Sequence, residues 1–455
     1  MLRRLLTHHP LHPARMPWGT RRAYRRELVA SSTFPVAVAM LDAGVVGVLA
    51  KTVFDVSNLG FATISAAPMF ANLTSLFWTR WSRGRRKARF TAAVMSGLLT
   101  LVAAVAVLPI SGWGAAGLVA VVVAGRCGLA GMMTVRSAIW RLNYGRAVRA
   151  RVTGKLVMIA TLILTVVPVG VGLVVDWRPG SFRLIYPLAA GVGAVAVVAF
   201  LGLRVRQEPS LLRSEQDPAA DAGMPRRGDG RPHGFVSVLR EDRNFRSYMT
   251  WQFFAGVANM MGNTAFALYV VEQIKRRDDA NFLGMLLITT LPLAAATLTV
   301  PWWSRLLDRQ HIATYRIGHG LTWIVSQALC YAAALSGQLW LFFLPMLTRG
   351  VMQGGGMIAW QLGHNDFADR RLAALYMGIH QTLTGLRGAF APFLGVALLA
   401  GWDGFDWWGG HVPGWAGIGE QVFLISTALA VVAWLGFFNL SRRLRAEGRG
   451  GVSDG

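Results

Sequence analysis

Long apolar runs alternate with short basic ones along the whole chain. Twelve runs, bounded by Arg, Gly, Pro or Trp, fall at 34–55, 59–81, 90–110, 113–136, 153–176, 183–204, 246–271, 280–303, 314–335, 338–363, 371–400 and 420–440. A bilayer core needs about 20 helical residues per crossing, so twelve crossings would use about 240 residues, a little over half of this chain. The pattern predicts twelve transmembrane helices, the eleventh long enough to need tilt or an interfacial end. Between the sixth and seventh runs, the stretch from Gln207 to Gly234 has almost no apolar periodicity and reads as a flexible linker. The expected class is therefore an all-α membrane protein of two pseudo-symmetric six-helix bundles. Its parts are a basic tail over 1–33, one bundle over 34–206, a linker over 207–245, a second bundle over 246–440 and a basic tail over 441–455.

Composition agrees with the pattern. Hydrophobic residues make up 54% of the 455 and charged residues 15%, against about 25% charged in an average soluble domain. The formal charge of +24 could suggest nucleic acid, so the placement of the basic residues decides its meaning. Of the 46 Lys and Arg, 37 fall in the tails and the alternate loops on one side of the expected spans, and only Arg178, Arg183, Lys275, Arg276 and Arg277 fall on the other. By the positive-inside rule both termini are cytoplasmic, and the charge needs no nucleic-acid partner. The Arg-rich start resembles an organellar presequence but reads first as a solvated cytoplasmic tail, and no cleavable secretory signal is visible.

Catalytic signatures do not emerge. Cys127 and Cys330 each sit alone in an apolar run, without the spacing of a metal or redox pair. Neither a GxxxxGK[ST] phosphate loop nor an HExxH zinc helix occurs. That disfavours ATP-driven transport by this chain alone and gives no reason to expect a cofactor, a metal or an enzyme. His364, Asn365 and Asp366 read as a helix cap.

The two halves repeat each other. Arg126 in RCGLAGMM and Arg349 in RGVMQGGGM occupy corresponding places in the fourth and tenth runs, each with Gly five residues on, at Gly131 and Gly354. Trp140 parallels Trp360, and Gly154 with Pro168 parallels Gly378 with Pro392, at offsets of 220 to 224 residues. Transporter folds are often built from such duplicated halves.

An ionisable residue at the centre of a span costs about 2.5–3.5 kcal/mol on insertion scales, so each needs a reason to be there. Asp42, Arg126, Arg349 and Arg387 are the deepest. At about 100° per residue, Gln252, Asn259 and Asn263 share one stripe of the seventh run. Arg349, Gln353 and Trp360 share one of the tenth, and Tyr376, His380, Thr384 and Arg387 one of the eleventh. Three polar stripes on separate helices most easily face one aqueous cavity. The Asn and Gln residues could instead be interhelical glue, and Arg126 and Arg349 could bind helix-end carbonyls. Lys51 has Asp55 one turn away, which predicts a local ion pair or snorkelling. Gly354, Gly355 and Gly356 suit tight packing or bending. Trp78, Trp81, Trp302, Trp303, Trp340 and Trp402 lie near span ends and read first as interfacial anchors.

These residues resemble the major facilitator superfamily from about Ser32 to Arg445. RGVMQGGGM and RCGLAGMM are similar to the family's fourth-helix motif. The loop FWTRWSRGRRK is similar to its GxLaDrxGRRK motif at Gly84, Arg85, Arg86 and Lys87, and SRLLDRQH keeps Asp308 and Arg309 of the same pattern. The chain departs at Phe77 and Trp81, where the family usually has Gly and Asp, and the second half lacks the trailing GRRK. The resemblance implies an alternating-access secondary transporter with a central cavity, gating loops at the two motifs, and a motif Arg tied to proton or substrate coupling; it names no substrate. The expectation is a monomeric carrier in a bacterial inner membrane. With three deep Arg against Asp42, Coulomb reasoning favours an anionic or zwitterionic solute, with a coupling proton if Asp42 titrates. The alternative is a protein of this fold that does not transport, serving as a membrane assembly factor, scaffold or sensor.

Overall fold

The computed structural model describes residues 16, 18–144, 146–216, 235–276, 281–364, 366–368, 373–407 and 410–448. They form seventeen α-helices and one small hairpin. The first rod is α1 (Arg21–Ala39) continued by α2 (Ala43–Thr52), and the second is α3 (Asn58–Leu73) continued by α4 (Ser75–Ser82). Four single helices complete the first half: α5 (Lys87–Ala104), α6 (Gly112–Asn143), α7 (Arg146–Trp177) and α8 (Phe182–Leu201). Two short helices follow, α9 (Glu208–Gln216) and α10 (Phe235–Glu241). The second half opens with α11 (Arg243–Lys275). Then α12 (Asn281–Met285) runs through a π-helical turn at Leu286–Thr290 into α13 (Leu291–Leu307). It closes with α14 (Ile312–Ser336), α15 (Phe343–Leu362), α16 (Ala373–Ala400) and α17 (Val422–Ala446). Strands β1 (Phe405–Trp407) and β2 (Gly410–Val412) pair antiparallel between α16 and α17.

The break in the first rod has a local cause. Asp42 leaves the helix in an extended conformation and its carboxylate accepts from the Gly44 N–H, so it caps α2 and ends α1. The helix also begins before the apolar run, at Arg21, because Tyr24, Glu27 and Ala30 turn inward on a stripe that continues the span.

Among the described residues nine helical stretches are long and apolar enough to cross a membrane. The other three rods are α3 with α4, α14 and α15. The first is broken at Thr74, and the other two carry Arg316, His319, Gln327, Arg349 and Gln353, which lower their hydropathy. Helices such as α7 leave Leu162, Val166 and Leu173 exposed, as lipid-facing positions do.

Within each half the helices pack on one another, and the halves meet through α2 against α11, α3 against α16, and α7 against α12. One apolar core joins both halves, with Val48, Leu49 and Phe54 of the first against Leu268, Val271 and Met285 of the second. Polar bridges lie beside it: Lys51 to Glu272 (3.0 Å), Lys275 to Asp55, and the Asp176 carboxylate accepting from the N–H groups of Asn281 and Phe282 (both 2.9 Å). Lys51 thus reaches Glu272 and Asn58 rather than its expected neighbour Asp55. Asp55 sits in a left-handed turn (φ 47°) just beyond α2, which aims its carboxylate across to Lys275.

Candidate functional site

Five helices of the second half, α11, α14, α15, α16 and α17, line a cavity of about 430 Å³. From α11 come Gln252, Gly256, Asn259 and Asn263, at spacings of four, three and four residues that keep them on one stripe. Arg316, His319 and Trp323 come from α14, Arg349, Gln353 and Trp360 from α15, and Thr384 and Arg387 from α16. The first half adds Met69 and Asn72 of α3. Arg316 is the fifth residue of α14 and Gln361 the last but one of α15, so the cavity reaches the end of the bundle at which the chain enters α1 and leaves α17. The bridges between the halves lie at the opposite end.

Positive charge is concentrated here. Arg387 is 4% exposed and donates from Nη1 to the Gln252 carbonyl. Its guanidinium crosses α11 where a Cβ on residue 256 would sit, so that position needs glycine. Arg316, 5% exposed, donates from Nη1 to His319 Nδ1 at 3.4 Å. His319 can accept there because its Nε2–H donates to the Met352 carbonyl at 2.9 Å, leaving Nδ1 unprotonated. Arg349 lies over the Phe266 ring at 5.4 Å, with Met346 Sδ 3.8 Å away. No Asp or Glu is among the described residues that line the cavity. Arg316 Nε and Nη2, Arg387 Nε and Trp323 Nε1 are buried donors without a protein partner, as Gln252 Oε1 and Asn263 Oδ1 are among the acceptors. Buried charges without compensation are costly.

Of the residues singled out in the sequence, Gln252, Asn259, Asn263, Arg349, Gln353 and Arg387 meet at this cavity. Asp42, Arg126 and His380 are not among its lining residues. Arg126 donates to the Leu41 carbonyl (2.6 Å) and the Asp42 carboxylate (3.4 Å), both at the break in the first rod, and Thr289 of the second half donates to the same carboxylate (2.7 Å). His380 is fully buried behind Trp360, with no partner on either ring nitrogen. Arg316 and His319 were missed because they begin a span, where an Arg counts as a loop charge. Their spacing with Trp323 on one helical stripe was the available signal.

The comparisons agree with this geometry. The Major Facilitator Superfamily profile matches residues 33–392. The chain belongs to the Major Facilitator Superfamily. No curated relative matches it by sequence. Solved structures of similar fold include the nucleoside transporter NupG (13% identity, 93% of this chain and 99% of that chain, TM-score 0.61). A POT family transporter in complex with 5-aminolevulinic acid is also similar (12%, 94% and 97%, 0.67), as is the xylose transporter XylE from E. coli in an inward open conformation (12%, 92% and 95%, 0.59). At these identities the likeness is one of fold, and the superfamily fold supports a twelve-helix arrangement. The protein is an integral multi-pass membrane protein, and family and fold point to a transporter rather than an enzyme.

In this member of the superfamily the motif loop is held by the segment between the halves. Glu215 of α9 accepts from the Gly84 N–H (2.9 Å) and from Lys87 Nζ (2.7 Å), and Glu208 accepts from the Lys87 N–H (2.8 Å). Gly84 turns the loop at φ 65°. Arg85 lies over the Trp81 ring at 5.4 Å, the position at which the usual motif has its acid. Arg86 is the residue before α5, and Asp308 with Arg309 follows α13. The corresponding loop of the second half is held by Asp366, whose carboxylate accepts from the Ile312 N–H (2.6 Å) and caps α14; Asn365 lies outside the described residues. At that loop burial holds the His311 and His364 rings below their ordinary pKa.

Two packing expectations also resolve. Trp303, read as an interfacial anchor, is 1% exposed and donates to the Val351 carbonyl (2.6 Å), because α13 and α15 pack closely there. Gly350, Gly354 and Gly355 of α15 lie against Pro292, Ala296 and Trp303, leaving no room for a Cβ.

Proposed function

We propose that the protein is a secondary active transporter that moves a small anionic or zwitterionic solute by alternating access. The observation that carries this reading is a cavity with three arginines, no carboxylate among the described residues of its wall, and several buried donors without partners. The remaining free acceptors, on Gln252 and Asn263, suit an ammonium or hydroxyl of the same solute. The cavity reaches one end of the bundle while an apolar core and a few polar bridges seal the other. Exchange of those two conditions is the movement that would carry a solute across. Both termini would be cytoplasmic, in a bacterial inner membrane, which makes this conformation inward-facing. A coupling proton would act at Asp42, which at the break in the first rod bridges Arg126 of one half and Thr289 of the other.

Alternation is tested with cysteines introduced by Asn72→Cys at the cavity and Asp55→Cys at the sealed end. In membranes supplied with a transported solute, thiol labelling at the two positions should change in opposite senses. A pattern that stays fixed, with no counterflow of any anion in proteoliposomes, rejects transport and favours a scaffold of this fold.

A further inference from the structure

We infer that Arg316 and Arg387 together form a two-fork subsite for an oxyanion, a carboxylate or phosphoryl group, with His319 as a positioning residue. This rests on the reading that the cavity takes an anionic solute and specifies which atoms recognise it. Each guanidinium is anchored through Nη1, Arg316 to His319 Nδ1 and Arg387 to the Gln252 carbonyl. The opposite edge of a guanidinium, Nε with Nη2, presents two parallel N–H bonds that match the two oxygens of a carboxylate or phosphoryl group. On Arg316 both atoms of that edge are buried without a partner, and on Arg387 Nε is. The two guanidiniums lie within electrostatic reach of each other, and an anion between them would relieve their repulsion. A halide could balance charge but could not fill both positions of a fork. Trp323, Met352 and Trp434 beside the forks give the organic part of such a ligand an apolar wall.

His319 sets the direction of one fork. By accepting from Nη1 while donating to Met352, it holds that side of the guanidinium and leaves Nε and Nη2 of Arg316 without a partner. Gln could replace both bonds through its amide, whereas Leu could make neither.

The test is thermal unfolding of the purified full chain with acetate, succinate and inorganic phosphate, against chloride at matched ionic strength. Lysophosphatidylglycerol is a separate arm. At least one oxyanion should stabilise the wild type saturably where chloride does not. Arg316→Lys and Arg387→Lys keep the charge but lose the fork, so affinity should fall about tenfold or more. His319→Leu should weaken binding similarly and His319→Gln restore it, and this contrast decides the matter if an Arg variant does not fold. Stabilisation by the lysolipid alone, with the same dependence, keeps the subsite and assigns it to a headgroup. The inference is overturned if neither an oxyanion salt nor the lysolipid outperforms chloride, or if Arg316→Lys folds and binds as tightly as wild type. Counterflow of the same probes separates the two readings. Fork-dependent binding without counterflow retains the subsite and rejects transport; counterflow indifferent to Arg316→Lys does the reverse.

Discussion

Glu27 provides the sharpest test of how the first half is held together. Its side chain is fully buried in α1 and accepts from Arg136 Nε (3.3 Å), from the Tyr144 hydroxyl (2.9 Å) and from Trp140 Nε1. Arg136 also donates to Ser31 Oγ (2.8 Å) and lies over the rings of Trp140 and Phe200. Glu27→Gln preserves the volume but removes the charge opposite a mostly buried guanidinium. Removing one partner of a buried pair costs about 3–5 kcal/mol. Because Ser31 and the two rings still hold Arg136, the lower end applies, and about 3 kcal/mol changes the ratio of folded to unfolded protein roughly 150-fold. Arg136→Met in the same chain removes the stranded charge, so the double variant should recover about 1–2 kcal/mol. The protein carries its own reporters, since Cys127 is half-buried in the first half and Cys330 fully buried in the second. A thiol-reactive dye followed during heating should show Glu27→Gln lowering the Cys127 transition in a Cys330→Ala background. The Cys330 transition, read in a Cys127→Ala background, should move less. A midpoint indistinguishable from wild type, or a double variant whose loss equals the sum of the singles, refutes the argument that a coupled buried charge pair organises this half.

Three further outcomes are expected. His311 Nδ1 accepts from the Ala313 N–H (3.1 Å) and caps α14, and burial lowers its pKa despite Asp366 nearby. The unfolded chain takes up this proton near pH 6.5 while the folded chain resists it, so stability is present above that pH and falls as pH drops through it. His311→Asn keeps a capping side chain that does not titrate, and melting from about pH 7.5 to 5 should show a flatter dependence, with His364 contributing the same direction that remains. Gly256→Val places a side chain where the Arg387 guanidinium lies and should reduce oxyanion stabilisation as far as Arg387→Lys does, measured by the same titration. Glu215→Gln weakens the bond to Lys87, whose side chain is 3% exposed, at a cost of about 1.5–3 kcal/mol. Unfolding of Glu215→Gln, Lys87→Met and the double variant should give a coupling well above that of an exposed pair.

Apolar runs and their spacing determine by themselves that this chain is a helical membrane protein, and its recurring motifs predict two related halves. These are properties of residues near one another in sequence, and the bilayer imposes them locally through span length and the cost of unpaired backbone groups. The same local periodicity placed Gln252, Asn259 and Asn263 on one face of α11, and Arg349 with Gln353 on one face of α15. Only the tertiary structure decided which charges are satisfied. Arg126 and Arg349 occupy equivalent places in the repeat, yet Asp42 and the Leu41 carbonyl meet the first while an aromatic ring meets the second. Arg316 looked like one more loop charge until α14 packed beside α15 and turned it inward next to His319. Lys51 had an acidic neighbour one turn away and found its partner more than 200 residues further along the chain. Whether a buried charge is neutralised depends on which helices touch, and those partners lie on separate rods that hydropathy and helical period cannot pair.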